Sequence, residues 1–328
     1  MTVLLSVIVM AYNRKQYLLD ALKSVINQDY PRESYEVIVS KNYADSDVDK
    51  FIQDNGMKSL TVGNVSQGEQ LAIALNVAQG DIICLLDDDD EFTAKKLSTV
   101  ERVFSEQRDL IYLHNEYKTK RNENLISKYK YKHLRKDLVV NAMTFSDYSK
   151  ILRFGFLTNN SSISFKKCAL LSHLDLIRKF NSRLDFTIFM LVMNQKGKMG
   201  FIGDCLTIYR IHESETHKMK GGYVDIFRAK LLEKWLEQDM LLLNVVSRLV
   251  VREMIELDSD IMLLNLRVLG FRSGLNGITY FHSLKFVFLQ RNIYSLILVS
   301  FVTLRKFLGK TATRIFEDLV TFYYKRLY

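Results

Sequence analysis

Between Ile82 and Phe92 an apolar run of strand length, Ile-Ile-Cys-Leu-Leu, stops abruptly in five consecutive acids, Asp87 to Glu91. A strand that is apolar on both faces must be covered on both, which points to an α/β architecture with this run as an interior strand. Sheets of that kind place ligands beyond the C-terminal ends of their strands. Five adjacent carboxylates repel one another, and a hard divalent cation such as Mg²⁺ or Mn²⁺ holds them together most simply. The competing reading is a solvated acidic turn in front of a helix that begins near Thr93.

The flanking sequence repeats the strand-to-helix alternation. Leu4 to Met10 is a β-branched run, and Tyr17, Leu18, Ala21, Leu22, Val25 and Ile26 follow at helical spacing. The sole proline, Pro31, sits in a polar break before a second strand, Tyr35 to Val39. A helix over Val48–Asn55, a weak strand at Ser59–Val62, a helix over Gln70–Ala78 and the turn Gln79-Gly80-Asp81 lead into the acidic strand. This order predicts a mostly parallel central sheet with flanking helices, a Rossmann-like nucleotide-binding half. Beyond it, a helix over Leu97–Phe104 and a strand at Leu110–Leu113 are expected. Lys118–Lys136, basic and tyrosine-rich, reads as a mobile surface loop, either a lid or a solvated face.

The net charge of +9 is not spread evenly. From Ile261 to Tyr328 ten Lys or Arg residues stand against Glu317 and Asp318, so the tail holds nearly all of the excess. Cys84, Cys168 and Cys205 have no CxxC spacing, which argues against a zinc site or a disulfide framework. The apolar N-terminus lacks a basic region and a cleavage site and reads as a strand, not a signal peptide. No stretch reaches the roughly 20 apolar residues of a spanning helix.

Four segments in order, Ser6–Arg14, Tyr35–Val39, Gly80–Phe92 and Gly200–His212, resemble family 2 glycosyltransferases of the GT-A fold. The resemblance covers about Val3 to His217. It implies an inverting enzyme that moves a sugar from a nucleotide-sugar donor, a UDP- or GDP-sugar, to an acceptor hydroxyl.

Residue by residue, the resemblance places Ala11, Tyr12 and Arg14 against the nucleotide base and ribose; Tyr12 alternatively packs on its own helix. Where the family carries an aspartate pair after the second strand, this chain has Lys41 and Asn42, and Asn42 is the residue able to substitute. The family's DxD pair falls at Asp87 and Asp89. Asp89 is the expected ligand of the divalent cation, Mn²⁺ or Mg²⁺, with Asp87 or Asp88 on the ribose or a metal-bound water. Asp90 and Glu91 are read as spare charges or first-turn acids. His114, Asn159 and Asn160 are candidates for the acceptor side, His114 alternatively being structural. A glycine-rich loop and acidic pair usual in the family are replaced by Ser172–Leu184, leaving Asp185 as the expected general base and Asp175 as its substitute. A surface N-cap aspartate is the bland alternative. In the closing strand, Arg210 is expected at phosphate and His212 at the metal, with His217 behind it.

The catalytic region is expected to span residues 1–217, with nucleotide-sugar binding in about 1–115 and the acceptor side in about 137–217. After Gly221-Gly222 the pattern becomes Leu-rich and helical: Val224–Leu243, Val245–Leu257, Ile261–Gly270 and a last run from Phe281. Apolar residues from Phe286 to Leu304 flanked by Lys285, Arg291, Arg305, Lys306 and Lys310 suggest a membrane-surface segment; a helical cap or an oligomer contact are the alternatives. The implied acceptor is a lipid-linked or cell-surface glycan, and the expected location is the cytoplasmic membrane face, peripherally bound. Nucleic acid is disfavoured, because the aromatics accompany aliphatic stripes instead of basic groove residues. Two other functions stay open at this point: a non-catalytic nucleotide-sugar or membrane-binding module of the same fold, and a nucleotidyltransferase.

Overall fold

A computed structural model describes residues 5–121, 124–126, 137–141, 147, 151, 156, 159–211 and 222–268. The chain divides into two compact units, the first holding the described residues up to Ile211 except Asp147 and Ile151, the second holding those two and residues 222–268.

The first unit is an α/β domain. Strands β1 (Leu5–Ala11), β2 (Tyr35–Lys41), β3 (Lys58–Thr61) and β4 (Ile82–Asp87) alternate with helices α1 (Leu18–Ile26), α2 (Ser46–Asp54) and α3 (Gln67–Val77). The order β3-β2-β1-β4 is parallel throughout, with Val7 opposite both Val37 and Cys84. All seven residues of β1 are buried, as expected of a strand covered on both faces. One face packs Val7, Val9, Val37, Val39, Cys84 and Leu86 into a core with Leu18, Leu22 and Val25 of α1 and Val48 and Ile52 of α2. Each such side chain contributes roughly 1.5–3 kcal/mol by leaving water.

Beyond β4 the sheet becomes mixed. After the short β5 (Glu91–Phe92) and helix α4 (Lys96–Glu106) come β6 (Leu110–Arg121), β7 (Asn124–Ile126), β8 (Leu138–Val140), β9 (Ile163–Lys166) and β10 (Lys198–Arg210). Strand β9 inserts antiparallel between β4 and β6, and β6 runs parallel to β10, which pairs antiparallel with β5 and β8. Three helices lie between β9 and β10: α5 (Cys168–Leu171), α6 (Leu174–Ile177) and α7 (Leu184–Met193).

One expectation is revised here. Residues 118–121 do not leave the sheet as a surface loop but extend β6, and Asn124–Ile126 return beside them, Thr119 opposite Ile126. Strand β10 supplies the reason, since its parallel ladder continues to Arg210 opposite Lys120 and satisfies backbone groups that a loop would leave to water. Residues 127–136 lie outside those described.

In the second unit, α8 (Gly222–Leu243) and α9 (Leu249–Val268) bury Leu242, Val246, Val251, Met254 and Ile255. The two separate helices expected over 245–257 and 261–270 are one helix as far as Val268. Arg252 donates to the carbonyls of Leu243 and Val246, occupying acceptors that the end of α8 leaves open. No described helix is long and apolar enough to cross a membrane. The segment from Phe281 to Tyr328 lies outside the described residues.

Candidate active site

Strand β4 delivers its acids to the C-terminal edge of the sheet, where the chain turns sharply and the Asp90 N–H donates to the Asp87 carbonyl. The five carboxylates then separate into two groups. Asp87, partly buried, accepts from Asn160 Nδ2 at 3.3 Å. Asp88 pairs with Arg14 Nη2 at 2.9 Å, and Asp89 pairs with Arg14 Nη1, so one guanidinium spans both. Asp90 is 1% exposed and fully engaged, accepting from Ser161 Oγ at 2.7 Å and from the Arg210 N–H at 3.0 Å. Glu91 pairs with Lys120 at 2.8 Å and with Arg210 at 2.6 Å. Asp90 and Glu91 are therefore not spare charges. They are the inner anchors of the loop.

Burial sets the electrostatics of the group. It pushes Asp87 well above the usual carboxylate range, helped by Asp90, Asp89 and Asp88. It raises Asp88 to about 7 despite the Arg14 cation, and it raises Asp90, with Asp89 adding to the effect. Protons held this high mark carboxylates that lack enough positive charge. Asp88 Oδ2 and Asn160 Oδ1 are buried without a hydrogen-bond partner among the described residues. Such a donor set suits a hard, oxygen-seeking divalent cation. Among the described residues no three His, Cys, Asp or Glu side chains converge on one point. Carboxylates so placed would supply only part of a coordination sphere, and a substrate phosphate would have to complete it. His212 and His217 lie outside the described residues.

Arg210, expected at phosphate, is placed differently. Its side chain is 4% exposed and held by Glu91 and by Asp20 at 3.1 Å, with Nε on the Asp89 carbonyl and the guanidinium 4.5 Å from the Tyr17 ring centroid. Surrounded in this way it clamps the acidic loop to α1.

At the neighbouring strand end, Ala11 closes β1 and is buried, its carbonyl accepting from Gln70 Nε2, and Tyr12 is 38% exposed. Lys41 turns inward onto Asp49 at 2.7 Å and the Tyr43 carbonyl, which leaves Asn42 at the strand end. Asn42 accepts from the Asn13 N–H at 2.8 Å and donates to Asn13 Oδ1 at 2.8 Å and Asn64 Oδ1 at 3.2 Å. Asn13 has φ +56°, a left-handed conformation that asparagine tolerates better than most residues. Asn13 and Asn64 escaped the sequence reading, although each stands in a loop that follows a strand of the parallel series.

The turn before β9 joins the two halves of the site. Asn159, with φ +83°, donates its N–H to Asp185 Oδ2 at 3.1 Å; Asn160 reaches Asp87; Ser161 reaches Asp90 and accepts from the Asp87 N–H at 3.0 Å. Asp185 sits in the first turn of α7, partly buried, and also accepts from the Phe186 N–H. Burial raises its pKa, the direction a proton acceptor requires. Asp175, the substitute base, is fully exposed and faces Arg178. His114 is 1% exposed, edge-on to the Phe156 ring 5.2 Å away, and so belongs to the packed interior instead of an acceptor surface.

Beneath the turn lies a residue the sequence did not single out. Lys96 has no exposed surface, and its ammonium donates to Asn115 Oδ1 and the Ser161 carbonyl, 5.0 Å from the Phe92 ring centroid. Thr207 donates to the same carbonyl at 2.9 Å and accepts from Asn115.

The chain is similar in sequence and fold to known proteins. The sequence profile described as Glycosyl transferase family 2 matches residues 6–174. A Campylobacter jejuni protein, GalNAc(5)-diNAcBac-PP-undecaprenol beta-1,3-glucosyltransferase, is 28% identical over 249 residues, 70% of this chain and 74% of its own. Among solved structures, Staphylococcus aureus TarS 1-349 in complex with UDP-GlcNAc superposes with a TM-score of 0.59 at 17% identity, over 80% of this chain and 72% of that one. The mannosyltransferase PcManGT from Pyrobaculum calidifontis, in complex with GDP-Man and Mn²⁺, gives 0.54 at 13% identity, over 100% and 88%. The family match spans just over half of the chain and includes the acidic loop and the 159–161 turn: this protein belongs to glycosyl transferase family 2 and is a glycosyltransferase.

Proposed function

We propose that this enzyme is an inverting, divalent-cation-dependent glycosyltransferase that carries a sugar from a nucleotide donor, a UDP- or GDP-sugar, to an acceptor hydroxyl, with Asp185 as general base. The observation that carries the reading is the 159–161 turn, whose consecutive residues contact Asp185, Asp87 and Asp90. A proton acceptor and a donor-binding carboxylate loop are thereby held in one frame, as in-line displacement requires.

In this reading Tyr12 offers its face to the base, Asn42 offers donor and acceptor groups beside it, and Asp87 or Asp88 would meet the ribose or a water of the cation. Asp89 would hold the cation, whose chemistry would be to neutralise charge on the departing diphosphate. Asp185 takes the proton of the acceptor hydroxyl as that oxygen bonds to the anomeric carbon and the bond to the diphosphate oxygen breaks. Asn159 keeps the Asp185 carboxylate oriented. Asn160 lies on the acceptor side of Asp87. The acceptor is a lipid-linked or cell-surface glycan, in keeping with the undecaprenol-linked substrate in the relative's name. Residues 1–217 form the catalytic region, and residues 218–328 bring it to a membrane surface.

The test is a transfer assay over UDP- and GDP-sugars with Mn²⁺, Mg²⁺ or chelator, using lipid-linked and soluble glycan acceptors. D185N is expected to lose at least about 10³-fold in kcat while retaining donor binding, and D89A to lose both transfer and cation-dependent nucleotide binding. Wild-type rates in D185N would remove the base assignment, and undiminished transfer in chelator would remove the cation.

A further inference from the structure

Two arginines pair with the acidic loop, and they are held in opposite ways. Arg210 is 4% exposed at its side chain and enclosed by Asp20, Glu91 and the Asp89 carbonyl. Arg14 is 36% exposed at its side chain, and its guanidinium bridges Asp88 and Asp89, which are 3% and 16% exposed. The main chain at Arg14 is anchored from the β2 side. Asn42 bonds both the N–H and the side chain of Asn13, and Tyr43 Oη donates to the Arg14 carbonyl. A fixed backbone with a half-exposed planar fork is the arrangement of a group that can exchange partners without refolding its loop. The fork fits either of two chemistries: two carboxylates, as here, or the oxygens of a diphosphate. Of the two carboxylates it covers, Asp88 has capacity to spare, since its Oδ2 is buried and unpartnered among the described residues.

We propose that Arg14 is an exchangeable internal counter-cation: it holds Asp88 and Asp89 together while no divalent ion is bound, competes with that ion for the same oxygens, and passes to the donor diphosphate when ion and donor enter. The inference rests on the reading of Asp89 as a cation ligand. It implies that the ion alone binds weakly to the free enzyme and strongly once a nucleoside diphosphate gives Arg14 another partner. Binding of ion and donor is then positively coupled, through a displaced guanidinium as well as through direct contact between them.

The experiment is Mn²⁺ titration of the full chain, followed by the electron paramagnetic resonance of free Mn²⁺ and by calorimetry, with and without UDP or GDP. The proteins are wild type, R14Q, R14K and D89A, each checked by circular dichroism for native folding. Removing the competing charge in R14Q should tighten Mn²⁺ binding without nucleotide by 10-fold or more and weaken nucleotide binding. R14K, which keeps the charge and loses the fork, should fall between wild type and R14Q, and serves alone if R14Q does not fold. Equal or weaker Mn²⁺ binding in R14Q, or in R14K when it stands alone, overturns the counter-cation while leaving the cation site intact. A wild type that binds no Mn²⁺ even with nucleotide, and is indistinguishable from D89A, overturns the cation reading itself and this inference with it.

Discussion

Lys96 shows how one side chain can set the geometry of a site it never touches. Its ammonium is wholly enclosed and lowered to about 8 by burial, yet it donates to the Ser161 carbonyl and so fixes the turn that bonds Asp87, Asp90 and Asp185. The sign of its pH dependence follows from proton binding. Between pH 8 and 10 the unfolded chain holds the lysine proton that the native state has released, so stability gained at Lys96 rises with pH. Urea unfolding should find wild type gaining on K96M by on the order of 2 kcal/mol from pH 7 to pH 10. A constant difference would mean that the native ammonium keeps its proton to the same pH as the unfolded one, in an environment wetter than its burial implies. Asp185 supplies a second prediction. With Asp185 as the proposed base, its raised pKa should move the acidic limb of kcat against pH upward from that of an ordinary aspartate, because only the deprotonated form would accept the hydroxyl proton, and D185N should lose that limb.

At the scale of elements, the site depends on how α3 meets the segment leading to α7. Gly68, in the first turn of α3, donates its N–H to the Phe180 carbonyl at 2.9 Å, and a Cβ on it would lie 1.8 Å from the Ile177 carbonyl oxygen. Ser66 caps α3 through the Glu69 N–H and donates its own hydroxyl to the Arg178 carbonyl, and Arg178 pairs with Glu69. The loop carrying Asn64 and the chain before Asp185 are thus fastened to one helix end. G68A should cost roughly 1–3 kcal/mol through steric displacement, read as a lower urea midpoint, and should lower kcat because the Asp185 helix moves with it. Unchanged stability would mean that residues 177–180 yield freely. The parallel strands β1 to β4 and their helices were legible in the sequence because each is written in local periodicity. The insertion of β9 between β4 and β6, and the extension of β6 past His114, were not. Both depend on which distant edge supplies hydrogen-bond partners, and short apolar runs do not encode that.

For the whole molecule, charge is the property that bears most on location. The ten basic residues between Ile261 and Tyr328 against two acids give a tail that should bind anionic lipid through charge and apolar contact together. Deleting Phe281 to Tyr328 should abolish cosedimentation with phosphatidylserine-containing vesicles, and binding by the full chain should weaken as salt shortens the Debye length below about 8 Å. Salt-independent binding would point to apolar insertion alone, and binding without the tail would place the contact elsewhere. Sequence alone determined the alternation of layers, the strand that ends in carboxylates and the family, because these are properties of neighbouring residues. Only the tertiary structure decided what each acid does: Asp90 meets Ser161 across 71 residues and Arg210 across 120, and Asp185 meets Asn159 across 26. A charge in a sequence carries no sign of whether its partner is water, a ligand or an arginine on a remote strand. Burial settles that, and burial is set by the order in which the strands come together.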